Sequence, residues 1–259
     1  MPDREIEKEI GRLRQFFRAI LNDQMLGDEV THAVLASVDL AAIGRLSAEQ
    51  RRARLFTDAI SIWLAARKSG DARNFSAGAL LAAAGPDVGP GEQVLILTDV
   101  MGMSVADAAA AIELSTADAR SLAADARTRL DRDVHGSVMI IEDEPLIAEG
   151  IADLVRSMGA EVVAMARNCD QAVTQAGALR PDAVLADFDL GGGGTGLDAV
   201  KAISADQDTI AIFITAFPEE VLTGEDYEPA FVLTKPYRER ALRTALAYSL
   251  KAPRPELVE

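Results

Sequence analysis

The stretch Val184-Leu185-Ala186-Asp187-Phe188-Asp189-Leu190 sets an apolar run directly against two carboxylates. A short continuous apolar run that stops on a charge reads as a buried strand arriving at the rim of a sheet. Four more short, mainly apolar runs occur, Val138 to Ile141, Glu161 to Ala166, Ile210 to Ile214 and Phe231 to Leu233, with amphipathic segments between them. Strands alternating with helices predict a doubly wound, five-stranded parallel sheet of the flavodoxin-like kind, covered on both faces, over residues 137–250. In such a sheet the carboxyl ends of all strands share one edge. Glu142-Asp143 follow the first run, Asp187 ends the third, Thr215 ends the fourth and Lys235-Pro236 follow the fifth, so these side chains are expected to converge.

Their types define a chemistry. Clustered carboxylates repel and raise one another's pKa unless a divalent cation neutralises them. Mg2+ prefers hard oxygen donors, so Glu142, Asp143 and Asp187 are the expected ligands, with the backbone carbonyl of Asp189 completing the shell. Asp187 is the expected nucleophile, forming an acyl phosphate. Lys235 supplies an ammonium and Thr215 a hydroxyl to the phosphoryl oxygens, because this transfer rests on positioning and electrostatics. A proline after Lys235 permits a cis peptide.

The bulk properties agree with a folded protein. At 259 residues, with 49% hydrophobic and 26% charged, the chain suits two ordinary domains. No apolar run approaches the roughly 18 residues of a membrane span, and the start Met1-Pro2-Asp3-Arg4-Glu5 has no secretory pattern. A cytoplasmic protein without a membrane partner is expected. One cysteine, Cys169, and two histidines, His32 and His135, exclude an internal disulfide and a Cys/His zinc site. The net charge of −15 disfavours nonspecific attraction to nucleic acid or anionic lipid, and it lies mainly in the second half: residues 1–131 carry −4, the rest −11.

The first half is written as helices. Ile6, Ile10, Leu13, Phe17 and Ile20 recur at helical spacing. Asp28 is expected to cap a second helix running to about Val38, and Ser47-Ala48-Glu49-Gln50 is a capping box opening a helix with Leu55, Ile60, Trp63 and Leu64. Turn residues, including Gly85-Pro86 and Gly89-Pro90-Gly91, then mark a joint. Three short helices are predicted beyond it: Glu92 to Met101, Ser104 to Ile112, and Ser115 to about Leu130, the last two separated by Glu113-Leu114. This is the layout of a helix-turn-helix, and equally of an ordinary helical hairpin. The resulting boundaries are a helical domain over 1–131, divided into 1–70, a linker 71–91 and 92–131; the α/β domain over 137–250; and a tail 251–259.

Residues 137 to about 250 resemble two-component response-regulator receivers, through Ile141-Glu142-Asp143-Glu144-Pro145, Val184 to Leu190, Ile214-Thr215-Ala216 and Leu233-Thr234-Lys235-Pro236-Tyr237. The resemblance implies a metal held by Glu142 and Asp143, phosphate on Asp187, and contact and signalling through Thr215 and Lys235. It also implies a sensor histidine kinase or phosphotransfer protein as donor. It implies no enzyme beyond the receiver's own phosphoryl transfer and dephosphorylation. Two departures stand out. Val232 occupies the place of the switch aromatic, three residues before the lysine, with Phe231 expected to face the other way. Gly191 to Gly194 make a glycine-rich loop that admits a partner or is merely flexible. Asp187-Phe188-Asp189 also resembles the nucleophile motif of haloacid-dehalogenase-type phosphatases, but that family adds acidic ligands after its lysine, where this chain has Tyr237-Arg238-Glu239-Arg240.

In the helical half, Gly91 to Leu97, Met103 to Ala109 and the helix from Ser115 resemble the C-terminal helix-turn-helix, region 4, of extracytoplasmic-function sigma factors. Residues 5 to about 70 resemble their promoter-melting region 2. A sigma factor-like domain in front of a receiver is the order of the PhyR-type general stress response regulators. That resemblance implies that phosphorylation of Asp187 exposes the sigma-like domain, which sequesters a NepR-like anti-sigma factor and frees a stress sigma factor. The recognition helix sets Arg120, Arg127 and Arg129 against Asp118 and Asp125, a poor footprint for phosphate neutralisation, so direct DNA binding is not expected. The alternative, a phosphorylation-controlled DNA-binding transcription factor, rests on the helix-turn-helix and on basic residues at Arg45, Arg51, Arg52, Arg54, Arg67, Lys68 and Arg73. Those residues read first as a solvated helical face, and otherwise as a surface for an acidic partner.

Overall fold

Helix α1 (Arg4–Leu21) buries the stripe Ile6, Leu13, Phe16, Phe17 and Ile20, and α4 (Ala48–Ser69) answers it with Leu55, Phe56, Ile60 and Trp63. The computed structural model describes residues 4–21, 23–70, 75, 88–132, 134–192, 194–222 and 229–251. The chain divides into two compact units, Met1–Thr128 and Arg129–Glu259. Most of the stretch read as a linker and all but the first residue of the tail lie outside the described residues.

In the helical unit, aromatic rings lock α1 to α4: Phe16 meets Phe56 and Phe17 meets Trp63 edge-on, at centroid distances of 5.9 and 5.5 Å. Between them lie α2 (Gln24–Leu35) and the short α3 (Leu40–Gly44). The cap of α2 is Asp23, not Asp28: its side chain accepts from the Leu26 N–H while its backbone is extended. Asp28 lies inside the helix and pairs with the buried Arg18 of α1, so an ion pair claims the carboxylate that the sequence offered as a cap. The capping box at Ser47 is formed as expected.

Helix α5 (Pro90–Leu95) starts within the stretch read as linker and widens into a π-turn at Ile96–Val100. Thr98 explains the widening, since its hydroxyl donates to the Val94 carbonyl four residues back and competes with the helical N–H for that acceptor. Helices α6 (Val105–Ala111) and α7 (Thr116–Arg132) follow. Ser104 and Ser115 each accept from the backbone N–H three residues on. The turn between them forces Glu113 to φ 60°, a left-handed conformation that costs about 1 kcal/mol without glycine, while its partner Lys68 is a solvated surface ion. Glu113→Gly is therefore expected to leave this unit as stable as before or up to about 1 kcal/mol more so, read as its urea midpoint.

The second unit is a parallel sheet in the order β2-β1-β3-β4-β5. Its strands are β1 (Ser137–Ile141), β2 (Glu161–Ala166), β3 (Ala183–Ala186), β4 (Ile210–Thr215) and β5 (Phe231–Thr234). Helices α8 (Pro145–Ser157), α9 (Cys169–Leu179), α10 (Gly196–Asp206), α11 (Pro218–Val221) and α12 (Glu239–Lys251) connect and cover them. One face joins Met139, Val184, Phe213 and Val232 to Ala172, Ala176, Val200 and Ile203 in a single cluster. On β5, Phe231 points the other way and packs edge-on against Tyr248 of α12. Strand order reverses between β1 and β3, which opens a crevice at their carboxyl ends, the ligand position of doubly wound folds. No described helix is long and apolar enough to cross a membrane.

Candidate functional site

The site residues stand one step past the last strand residues, and the neighbouring strand holds each in place. The Glu142 N–H donates to the Ala166 carbonyl at 3.0 Å, the Asp187 N–H to Ile141 at 2.9 Å, and the Lys235 N–H to Thr215 at 2.8 Å. Ladder hydrogen bonds thus extend beyond the regular strands and fix three functional side chains to the sheet edge. The Lys235–Pro236 peptide is cis.

The side chains meet. Carboxylate oxygens of Glu142, Asp143 and Asp187 lie within 4.8 Å of one another. Lys235 Nζ donates to Asp187 Oδ2 at 2.7 Å and to Glu142 Oε2 at 3.0 Å. Burial pushes the Glu142 carboxyl up, against the opposing pull of Lys235. For Lys235 itself, burial acts downward, but hydrogen bonds to Asp187 and Glu142 outweigh it, and the ammonium is held above its ordinary range. Lys235 is therefore a cation throughout the neutral range, facing an oxygen-rich set that suits a hard divalent ion.

Thr215 is fully buried at the end of β4, and its Oγ1 accepts from the Phe217 N–H at 3.0 Å. The Asp189 carboxylate stays local and accepts from the Gly191 N–H. Gly191, at φ 67°, lies so close to Asp143 that a Cβ there would come 2.8 Å from its Oδ2.

Sequence reading missed Gly196. A Cβ on this residue would fall 1.8 Å from the Asp187 carbonyl oxygen, so only glycine lets α10 begin against Asp187. The signal was present as Thr195-Gly196-Leu197-Asp198, a capping box at the start of that helix. In the helical unit, reading by composition also missed that Arg127, counted as a recognition-helix cation, is engaged by the buried Asp99 at 2.8 Å. Arg52 was read as surface charge, yet it donates to both carboxylate oxygens of the buried Glu9 and to the Met101 carbonyl.

A five-stranded parallel sheet with an acid cluster and a lysine at its switch point defines a receiver, and residues 138–247 match the response regulator receiver domain family. The chain is 32% identical to the phyllosphere-induced regulator PhyR of Methylorubrum extorquens over 242 residues, covering 92% of this chain and 90% of that one. It belongs to the PhyR family. Among solved structures, the response regulator PhyR from Brucella abortus superimposes with a TM-score of 0.75 at 32% identity, covering 96% of this chain and 94% of that one. The anti-anti-sigma factor PhyR from Bartonella quintana does so with a TM-score of 0.75 at 30% identity, covering 96% of both chains.

Proposed function

We propose that this protein is a phosphorylation-gated decoy: a phosphoryl group on Asp187 exposes the helical unit, which sequesters a NepR-like anti-sigma factor and so frees a stress sigma factor. The observation that carries the reading is the convergence of Lys235 on Glu142 and Asp187, which suits the sheet edge to accepting a phosphoryl group. The likeness of the chain to an anti-anti-sigma factor over nearly its whole length supports the decoy. The engagement of Arg127 by Asp99 supports a decoy over a DNA reader, because it ties down one of the few cations of α7.

In the transfer, an Asp187 carboxylate oxygen attacks phosphorus, the bond from phosphorus to the donor's histidine nitrogen breaks, and the new P–O bond leaves an acyl phosphate. Lys235, already hydrogen-bonded to Asp187, offsets charge on the phosphoryl oxygens, and the Thr215 hydroxyl donates to one of them. Glu142, Asp143 and Asp187 fit Mg2+, with the Asp189 carbonyl as the proposed further ligand, and the ion when bound would supply further charge neutralisation at the phosphoryl oxygens. Chemistry of this chain is confined to taking up its own phosphoryl group and losing it to water.

Mixing the full chain with Mg2+, acetyl phosphate and a NepR-like protein tests the reading. Capture should strengthen at least tenfold with the phosphoryl donor; equal capture without it would reject the gating. Magnesium alone should raise the melting temperature, by an amount that grows with the logarithm of one plus the ratio of free Mg2+ to its Kd. That rise should vanish in Asp143→Asn, and it should shrink on acidification, because Glu142, whose pKa is raised, must lose its proton to bind.

A further inference from the structure

Arg52 joins three parts of the helical unit at one point. From the second turn of α4, its Nε and Nη2 donate to the two carboxylate oxygens of Glu9 on α1, at 2.8 and 3.0 Å, and its Nη1 donates to the Met101 carbonyl at 3.0 Å. Glu9 is buried and keeps a second partner in Arg12, at 2.6 Å. The Met101 carbonyl stands just past the π-turn, in a buried residue, where the helix has no further N–H to offer it. A buried carbonyl needs a donor, and this one takes it from the other half of the unit.

Apolar packing between these halves has little grip. Helix α4 packs on α6, but the residues that α6 buries are Ala108, Ala109 and Ala111. A face of methyl groups holds contact without fixing register, because hydrophobic burial has no direction of its own. The pair of Lys68 with Glu113, which also crosses from α4, is solvated and contributes little. A guanidinium fork differs, since its planar donors are satisfied in one geometry.

We propose that Arg52 is a positioning residue for capture: through the Met101 carbonyl it fixes α5, α6 and α7 against α1 and α4, so that the helical unit meets its partner in one preset arrangement. The proposal rests on the decoy reading. Arg52 acts through Met101 and Glu9, without touching the partner. Its loss lowers the fraction of molecules in the competent arrangement, and the apparent affinity falls by that fraction. Such a loss appears in the association rate, because a complex once formed holds the arrangement itself. A residue that touches the partner changes the dissociation rate instead.

The test passes the full chain, phosphorylated with acetyl phosphate and Mg2+, over an immobilised NepR-like protein, and reads association and dissociation rates separately. In Arg52→Lys the ammonium keeps a charge beside Glu9 but cannot form the fork and reach Met101 together, while Arg12 still covers Glu9. Phosphate uptake should stay at the wild-type level. The association rate should fall about fivefold or more, and the dissociation rate should change by less than about twofold. Amide exchange at residues 101–104 should quicken in the same variant. Glu9→Gln, which leaves the guanidinium on a weaker anchor, should slow association in the same sense. The double variant should lose no more than Arg52→Lys alone, because both changes act on one tie. Should Arg52→Lys fail to fold, Glu9→Gln decides by the same two rates. Association at the wild-type rate overturns the proposal, as does a loss confined to the dissociation rate, or a double variant whose losses add. A wild-type chain that takes up phosphate yet captures nothing overturns the decoy reading instead, and the proposal with it.

Discussion

Asp187→Asn is expected to take up no phosphate from any donor, and its capture of a NepR-like protein should stay at the resting level when phosphoryl donor is present. An amide nitrogen or carbonyl cannot replace the carboxylate oxygen as nucleophile, so the loss should be complete within detection, at least a hundredfold on the rate scale. The fold should survive. Asp187 is held by its backbone N–H, which the substitution keeps, and Lys235 retains Glu142 as a partner. In capture, a tenfold difference between phosphorylated and resting wild type corresponds to about 1.4 kcal/mol of bias between two states, and the variant should show none of it. Phos-tag electrophoresis and a binding isotherm measure the two halves separately. Donor-dependent capture by Asp187→Asn would place the phosphoryl group elsewhere and sink the proposal.

Gly196→Ala has the largest expected effect on stability. Its Cβ would overlap the Asp187 carbonyl at 1.8 Å and come 3.6 Å from the Ala186 Cβ, and the nearest obstacle is backbone, which cannot swing aside like the end of a side chain. Relief requires the start of α10 and the acceptor strand to part, at about 3 kcal/mol, the upper end for overpacking. The Gly196 N–H also donates to the Phe188 carbonyl, so the same movement strains the link across the acceptor loop. A fall in the urea midpoint of the receiver unit, with phosphate uptake reduced at least tenfold in the molecules still folded, is the expected result. Gly177→Ala is the control: it lies in α9, nothing would touch its Cβ, and it should be neutral or stabilise by about 0.5–1 kcal/mol. Equal behaviour of the two variants would dismiss the steric argument.

Much of the α/β unit was legible because its strands are short, mainly apolar runs and all but β4 are followed directly by a charge. Each strand lies within one residue of its expected span at either end. The convergence of Glu142, Asp143, Asp187 and Lys235 followed from parallel topology alone. What escaped were features that depend on three-dimensional proximity. Gly196 looks like any helix-starting glycine until the Asp187 carbonyl is placed beside it. Asp28 and Asp23 are equally good caps on paper, and only the approach of Arg18 from α1 decides between them. Likewise, counting charges on α7 could not show that Arg127 is engaged by a buried aspartate from the π-turn.

The backbone bonds that carry Glu142, Asp187 and Lys235 past their strands make the proposed phosphorylation site part of the sheet's cooperative unit. Segments that open together exchange their amides together, and a site whose bonds run to β2, β1 and β4 is expected to loosen only with the sheet. Mutational drift therefore has little room at the acceptor itself. Changes in how long the signal lasts, or in what it reaches, must enter through the loops that leave the sheet edge, where a substitution can alter timing without unravelling the scaffold.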